Sequence, residues 1–195
     1  MIENEIWNNN PNQFVIGADE VGRGSIAGPI VAASVRLSFK DNIHLGSVKD
    51  SKKMSEKKRN EIYKYINDTD IKIIYSIMTH VEIDTLGINH CNKKVLEDVL
   101  SPYFECKDLL FVDYVKGINQ NVKAITKGED KSLAIALASI MAKVYRDTLM
   151  IQMSLEYPEY GLDMNKGYGT KKHYEAIKKY GVKDFHRKTF LKQFS

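Results

Sequence analysis

Apolar residues in this chain fall in short clusters whose spacing switches between the two-residue repeat of a strand and the three-to-four-residue repeat of a helix. The run Phe14-Val15-Ile16 predicts a short buried strand over residues 14–19. Residues 29–39 are β-branched and apolar and predict a second strand, and the loose alternation over 71–78 predicts a third. Leu109-Leu110-Phe111-Val112-Asp113 reads as a compact buried strand, and residues 122–126 as a weaker fifth. Helical spacing takes over elsewhere. Ser55 is an N-cap for a helix to about residue 67, with Ile62, Tyr63 and Ile66 on one face. Ile88, Cys91, Val95 and Val99 form a stripe that Pro102 closes. The longest helical pattern, 132–157, is alanine-rich and ends at Pro158, and a last helix runs from a Thr170 cap to Gly181. No repeat or low-complexity linker interrupts this order.

Strands interleaved with helices in this way make an α/β protein with both sheet faces covered. Two of the strands end in a carboxylate, Asp19 and Asp113. Open α/β sheets bind ligands at the carboxyl ends of their strands, so the two aspartates meet there if their strands are parallel neighbours. Asp19 is followed by Glu20 and then by the turn Gly22-Arg23-Gly24. Strand-end carboxylates suit a hard divalent cation such as Mg²⁺, which takes oxygen ligands. Glycines let backbone N–H groups approach a ligand, and one arginine suits a phosphate. Taken alone, the segment is read more simply as a turn, because Asp and Gly are turn residues. It is neither a dinucleotide fingerprint nor a P-loop, since the further glycine, the ribose-binding acid and the Gly-Lys-Ser/Thr ending are missing.

The 195 residues suffice for one domain with a core that needs no staples. Residues 1–13 are a polar, asparagine-rich lead-in with an isolated Trp7, leaving 14–195 as the domain. The formal charge of +4 permits nucleic-acid binding without demanding it. Lysines cluster at 49–58 and 166–192, and most of these read as solvated helix faces. Two cysteines, Cys91 and Cys106, without a C-x-x-C pair give no zinc site. No signal peptide is evident and no run approaches the ~18 apolar residues of a membrane span, so the expected setting is the cytoplasm.

These segments together resemble the ribonuclease HII family, the type 2 ribonucleases H, from about residue 14 to 190. Asp19-Glu20-x-Gly22-Arg23-Gly24 is similar to the family's opening signature, and Asp50-Ser51-Lys52-Lys53-Met54-Ser55, with Arg59 following, to its second motif. Val112-Asp113 matches the third acidic position. Lys127-Gly128-Glu129 and Ser139 to Asp147 resemble the fourth block. Tyr160-Gly161, Lys166-Gly167-Tyr168-Gly169-Thr170 and His186 to Phe190 resemble the C-terminal blocks. These blocks in this order are a specific signal.

The resemblance implies a ribonuclease H-like fold, a mixed five-stranded sheet of order 3-2-1-4-5 flanked by helices, with a C-terminal helical segment. It implies hydrolysis of RNA in RNA–DNA hybrids and cutting 5′ of ribonucleotides embedded in duplex DNA, leaving 3′-hydroxyl and 5′-phosphate ends. Two divalent cations, Mg²⁺ or Mn²⁺, would be held by Asp19, Glu20, Asp113 and a fourth carboxylate. Adjacent strand residues point to opposite faces, so Asp19 and Glu20 are expected to converge only if the strand has already ended. The family's fourth acid is an aspartate after Lys-Gly, whereas Glu129 followed by Asp130 stands here. Glu129 is chosen and Asp130 is its rival. Asp147 lies roughly 25 Å along a continuous helix and is read as structural, paired with a nearby cation. Gly22, Arg23 and Gly24 would read the 2′-hydroxyl, Tyr168 would stack on the sugar 3′ of the ribonucleotide, and Lys52, Lys53, Lys143 and Arg146 are candidate phosphate contacts. His186 receives no catalytic role. The sister ribonuclease HIII carries an extra N-terminal domain, for which residues 1–13 leave no room. An inactive binding module of the same fold is disfavoured, because clustered carboxylates repel nucleic acid and one another. A monomer with no membrane association is expected, and no protein partner is identified.

Overall fold

The computed structural model describes residues 1–41 and 54–192. In chain order its elements are α1 (Ile2–Asn9), β1 (Val15–Val21), β2 (Ile30–Leu37), α2 (Glu56–Asn67), β3 (Lys72–Met78), α3 (His80–Leu86) and α4 (Ile88–Leu100). There follow β4 (Leu109–Asp113), β5 (Val122–Ile125), α5 (Gly128–Lys131), α6 (Leu133–Glu156), α7 (Leu162–Asn165) and α8 (Lys171–Tyr180). The strands form one sheet of order β3-β2-β1-β4-β5. β1 pairs antiparallel with β2 and parallel with β4, β2 antiparallel with β3, and β4 parallel with β5. The mixed sheet and its strand order are as the sequence implies.

Alternation along the strands sorts the core into two layers. Val15, Val31, Ala33, Val35 and Phe111 face α6, together with Ile62 and Ile66 of α2. Ile16, Ala18, Ile30, Ala32 and Val112 face α4 through Cys91, Val95 and Val99. β1 and α6 approach so closely at Gly17 that a Cβ there would lie 2.2 Å from the Ile135 nitrogen. Only glycine fits, and this contact sets the height of α6 against the strand that carries Asp19. A third apolar cluster, with Met150, Tyr160, Ile177 and Phe185, seats α8 and the C-terminal segment against the far half of α6.

The periodicity reading misses α1 and α3, and with them the one-turn helices α5 and α7. The polar lead-in forms α1, with Trp7 1% exposed against the α6 layer. Its Glu3 is fully buried and caps α6, accepting from the Ser132 hydroxyl at 2.5 Å and the Ala134 N–H at 3.1 Å. A carboxylate at a helix N-terminus meets unpaired N–H groups and the positive end of the dipole. Helix α3 starts with a reciprocal Thr79–Glu82 capping box, a four-residue signal visible in the sequence.

Candidate active site

The parallel β1–β4 ladder stops at the pair Ala18–Val112, one residue before Asp19 and Asp113. Parallel partners project to the same face, so the two aspartates stand side by side toward α6, in line with Val15 and Phe111. The expectation about Glu20 needs correcting. β1 does not end at Asp19 but continues against β2 through Val21, with Glu20 opposite Ala32. Glu20 therefore points to the other face, toward Asn92 of α4. Beyond Ala18, however, β1 has lost its neighbour on the β4 side, and one cavity wraps around that open edge to reach both carboxylates.

This cavity, about 480 Å³, is lined by Asp19, Glu20, Asp113 and Glu129 together with Lys143 and Tyr168. Arg59, Ser139 and Ile140 also reach it. Asp113 accepts from the Gly128 N–H at 2.8 Å, which fastens the strand end to the first turn of α5. That turn buries Glu129 to 2% exposure and leaves Asp130 exposed and outside the cavity. The geometry thus brings together the three acids of the opening and third motifs and Glu129, but not Asp130.

Burial is the main reason the Asp19 carboxyl is held well above the usual range. The Glu20 charge adds to it, while the Ser139 side chain and the Glu20 N–H, 2.9 Å away, oppose it. Burial likewise raises Glu20, with Arg23 pulling the other way, Asp113 raising it further and Asn92 lowering it. Among the described residues, four acids against Lys143 and Arg59 leave an excess of negative charge in a partly desolvated space, which a bound cation relieves. The donors are all hard oxygens and, among the described residues, no Cys or His lines the cavity, so Mg²⁺-like ions fit better than zinc. Among the described residues no three such side chains form a ready metal cage. The donor set fits divalent cations that keep part of their water.

The remaining expected residues divide. Gly22 carries φ +94°, and a Cβ there would lie 2.3 Å from the Arg146 side chain. Gly24 and Arg23 are exposed, and the Arg23 guanidinium donates to Asn89 at 3.2 Å. Lys143 pairs with Asp147 at 2.8 Å, which gives Asp147 its structural partner. The Tyr168 ring sits 5.9 Å from the Lys143 ammonium and 5.6 Å from the Arg146 guanidinium. Lys52 and Lys53 lie outside the described residues. Arg146 is a correction. It is fully buried, and its guanidinium donates to the carbonyls of Pro29, Lys166 and Ala27 at 2.8, 2.8 and 3.1 Å. It is spent on stitching backbone together and is not presented to a phosphate. Arg187 does the same from the C-terminal block, donating to Gly28 and Arg23 at 3.0 and 3.1 Å. Burial, then the nearby Arg146 charge, lowers its pKa to about 9. The two arginines hold the loop from Arg23 to Pro29 under Tyr168.

Sequence reasoning gave Arg59 and Asn92 no role, yet Arg59 lines the cavity and Asn92 faces Glu20. An asparagine on the buried stripe of α4, where an apolar residue is expected, was the available signal for the second.

A family model described as Ribonuclease HII matches residues 16–193. The chain is 43% identical over 181 residues to a protein of Clostridioides difficile (strain 630) named Ribonuclease HII, covering 92% of this chain and 70% of that one. Among solved structures, the ribonuclease H2 of Pyrococcus horikoshii OT3 superposes with a TM-score of 0.77 at 24% identity, over 93% of this chain and 97% of that one. The ribonuclease HII of Archaeoglobus fulgidus, solved in a complex with PCNA, gives 0.75 at 24% identity, over 89% and 93%. Those two likenesses carry the fold, while the family model and the sequence identity carry the assignment. The chain belongs to the ribonuclease HII family and is an endoribonuclease, a hydrolase of phosphodiester bonds.

Proposed function

We propose that this endoribonuclease hydrolyses the RNA strand of RNA–DNA hybrids and cuts on the 5′ side of ribonucleotides embedded in duplex DNA, leaving 3′-hydroxyl and 5′-phosphate ends. The observation that carries the reading is the convergence of Asp19, Glu20, Asp113 and Glu129 on one cavity that Tyr168 also borders. Two divalent cations, Mg²⁺ or Mn²⁺, would be held by these four carboxylates and would supply water activation and neutralisation of the departing 3′-oxygen. Ser139 and the Glu20 N–H orient Asp19 by hydrogen bonding, and the Gly128 N–H orients Asp113. Lys143 stands at the cavity wall, where it meets a phosphate of the bound strand. The backbone of Gly22, Arg23 and Gly24 offers donors to a 2′-hydroxyl, the group that separates RNA from DNA at one position. Tyr168 supplies a stacking face for the sugar that follows.

The test is cleavage of a duplex containing a single ribonucleotide, with and without Mg²⁺ or Mn²⁺, with the product ends mapped. Metal-dependent cutting 5′ of the ribonucleotide is expected. Binding without metal-dependent cleavage would mean a nucleic-acid-binding module instead. Tyr168→Ala is expected to lose roughly 1–3 kcal/mol of stacking, by analogy with base–aromatic contacts. The loss should be larger on the single ribonucleotide than on a continuous hybrid; equal losses would assign the ring a structural role only.

A further inference from the structure

A second cavity, about 410 Å³, opens on the α4 side of the sheet edge, next to the acids but separate from them. Arg23, Asn92, Lys93, Tyr114 and Lys116 line it. Its walls adjoin the active site. Arg23 and Asn92 both act on Glu20, and Tyr114 follows Asp113 directly.

Tyr114 is the unusual feature. It adopts φ +58°, in the left-handed region that L-residues avoid, and the residue is 67% exposed. Nothing in the core requires an aromatic there. The backbone around it is pinned, because the Tyr114 N–H donates to Ile125 at 3.1 Å and the Val115 N–H to Asp113 at 2.7 Å. A strained, fixed and exposed aromatic beside catalytic acids is the kind of outlier that marks a binding site. Asn92 is an independent observation: it is 4% exposed, lines this cavity, and among the described residues its Oδ1 has no hydrogen-bond partner. Buried acceptors are ordinarily satisfied, so an unpaired one in a cavity wall calls for a donor from outside the chain. Lys93 and Lys116 are exposed, and among the described residues neither pairs with a carboxylate.

We propose that this cavity seats one nucleotide of the substrate strand beyond the cleavage site, its base against Tyr114 and its phosphate among Arg23, Lys93 and Lys116. The aromatic face, three cations and unpaired acceptor together match a nucleotide's base, phosphate and donor groups. A volume of this size lies within the range of small-molecule sites. The inference rests on the nuclease reading and names a further contact surface for the same substrate.

The test is metal-free binding of a labelled RNA–DNA hybrid, followed by fluorescence anisotropy at several salt concentrations. Tyr114→Gly is the informative variant, since glycine takes positive φ freely and the fold is not put at risk. It is expected to bind on the order of tenfold more weakly, the size of a lost stacking contact, with a thermal midpoint at or above that of the parent chain. Tyr114→Phe should restore binding, because the ring and not the hydroxyl is used. Lys93→Ala combined with Lys116→Ala should lower the slope of log affinity against log salt by about one, for the single phosphate that the two lysines share. Parent-like binding by Tyr114→Gly, or equal losses in Tyr114→Gly and Tyr114→Phe, would overturn the proposal. Cleavage of the same hybrid in Mg²⁺ is read in parallel. A parent chain that binds but does not cut refutes the nuclease reading alone, whereas Tyr114→Gly that binds normally while the parent cuts refutes the subsite alone.

Discussion

Asp113 and Asp19 share one geometric fact, the end of a parallel ladder one residue before both. Because Asp113 sits at a strand terminus and not in either core layer, Asp113→Asn should remove most cleavage while leaving the fold and hybrid binding nearly intact. Turnover close to normal at saturating Mg²⁺ would remove it from the metal site. The choice between Glu129 and Asp130 is also made at this scale. Glutamate is one methylene longer than aspartate, so holding an ion from the first turn of α5 requires a backbone about 1 Å further back, and Mg²⁺ tolerates less positional error than larger ions. Glu129→Gln should therefore reduce cleavage strongly and Asp130→Asn mildly, with relatively higher activity in Mn²⁺. Rates of both variants in the two metals check this, and greater damage from Asp130→Asn would move the assignment one residue along. That Asp19 and Asp113 meet was legible because two strands each end in a carboxylate, whereas Glu20 and Glu129 came only with the family resemblance. The role of Arg146 was not legible. A charged residue on a helix reads the same whether its guanidinium meets solvent or three carbonyls drawn from distant segments.

At the scale of elements, the strands and long helices follow from local period, and their observed bounds lie within two residues of the expected ones. Helix α1 was missed because what stabilises it lies elsewhere. Its apolar stripe is short, Ile2, Ile6 and Trp7 among polar residues, and Glu3 is useful only once α6 presents unpaired N–H groups to it. Glu3→Ala should cost ~1–2 kcal/mol, the usual range for loss of a helix cap. Trp7 is the only tryptophan, so release of α1 is readable as a red shift of its emission ahead of global unfolding. An unshifted spectrum with unchanged denaturant midpoint would mean that α1 holds by its apolar contacts alone. The convergence of Asp19 and Glu20 was misjudged for a related reason. Alternation is a property of one strand, whereas the open edge that joins its two sides is made by the early stop of another.

Across the whole molecule, the C-terminal block is held by buried histidines as well as by arginines. The Nε2 atoms of His173 and His186 lie 3.2 Å apart, and both rings are fully buried. Burial foremost, then the His173 charge, lowers His186 to about 4 from its ordinary 6.5, and burial lowers His173. A depressed folded-state pKa contributes stability above the unfolded value and loses it as the pH falls. The thermal midpoint should therefore drop as pH is lowered from 6.5 through about 4. His186→Asn should be less stable at neutral pH and show a shallower fall, and an unchanged acid limb would remove the histidines from the explanation.

The loop from Arg23 to Pro29 follows β1, the strand that carries Asp19 and Glu20, yet what holds it lies between Gly167 and Arg187. The Ile26 and Ala27 N–H groups donate to Gly167, the Gly28 N–H to Phe185, and the Arg187 N–H to Ile26. During synthesis, then, Asp19 and Glu20 leave the ribosome early, but the segment that would grip a 2′-hydroxyl has no scaffold until residue 187 has emerged. A nascent chain can pair its strands and collect its acids while still unable to present a shaped substrate loop, so competence to cut nucleic acid waits on the segment from Gly167 to Arg187.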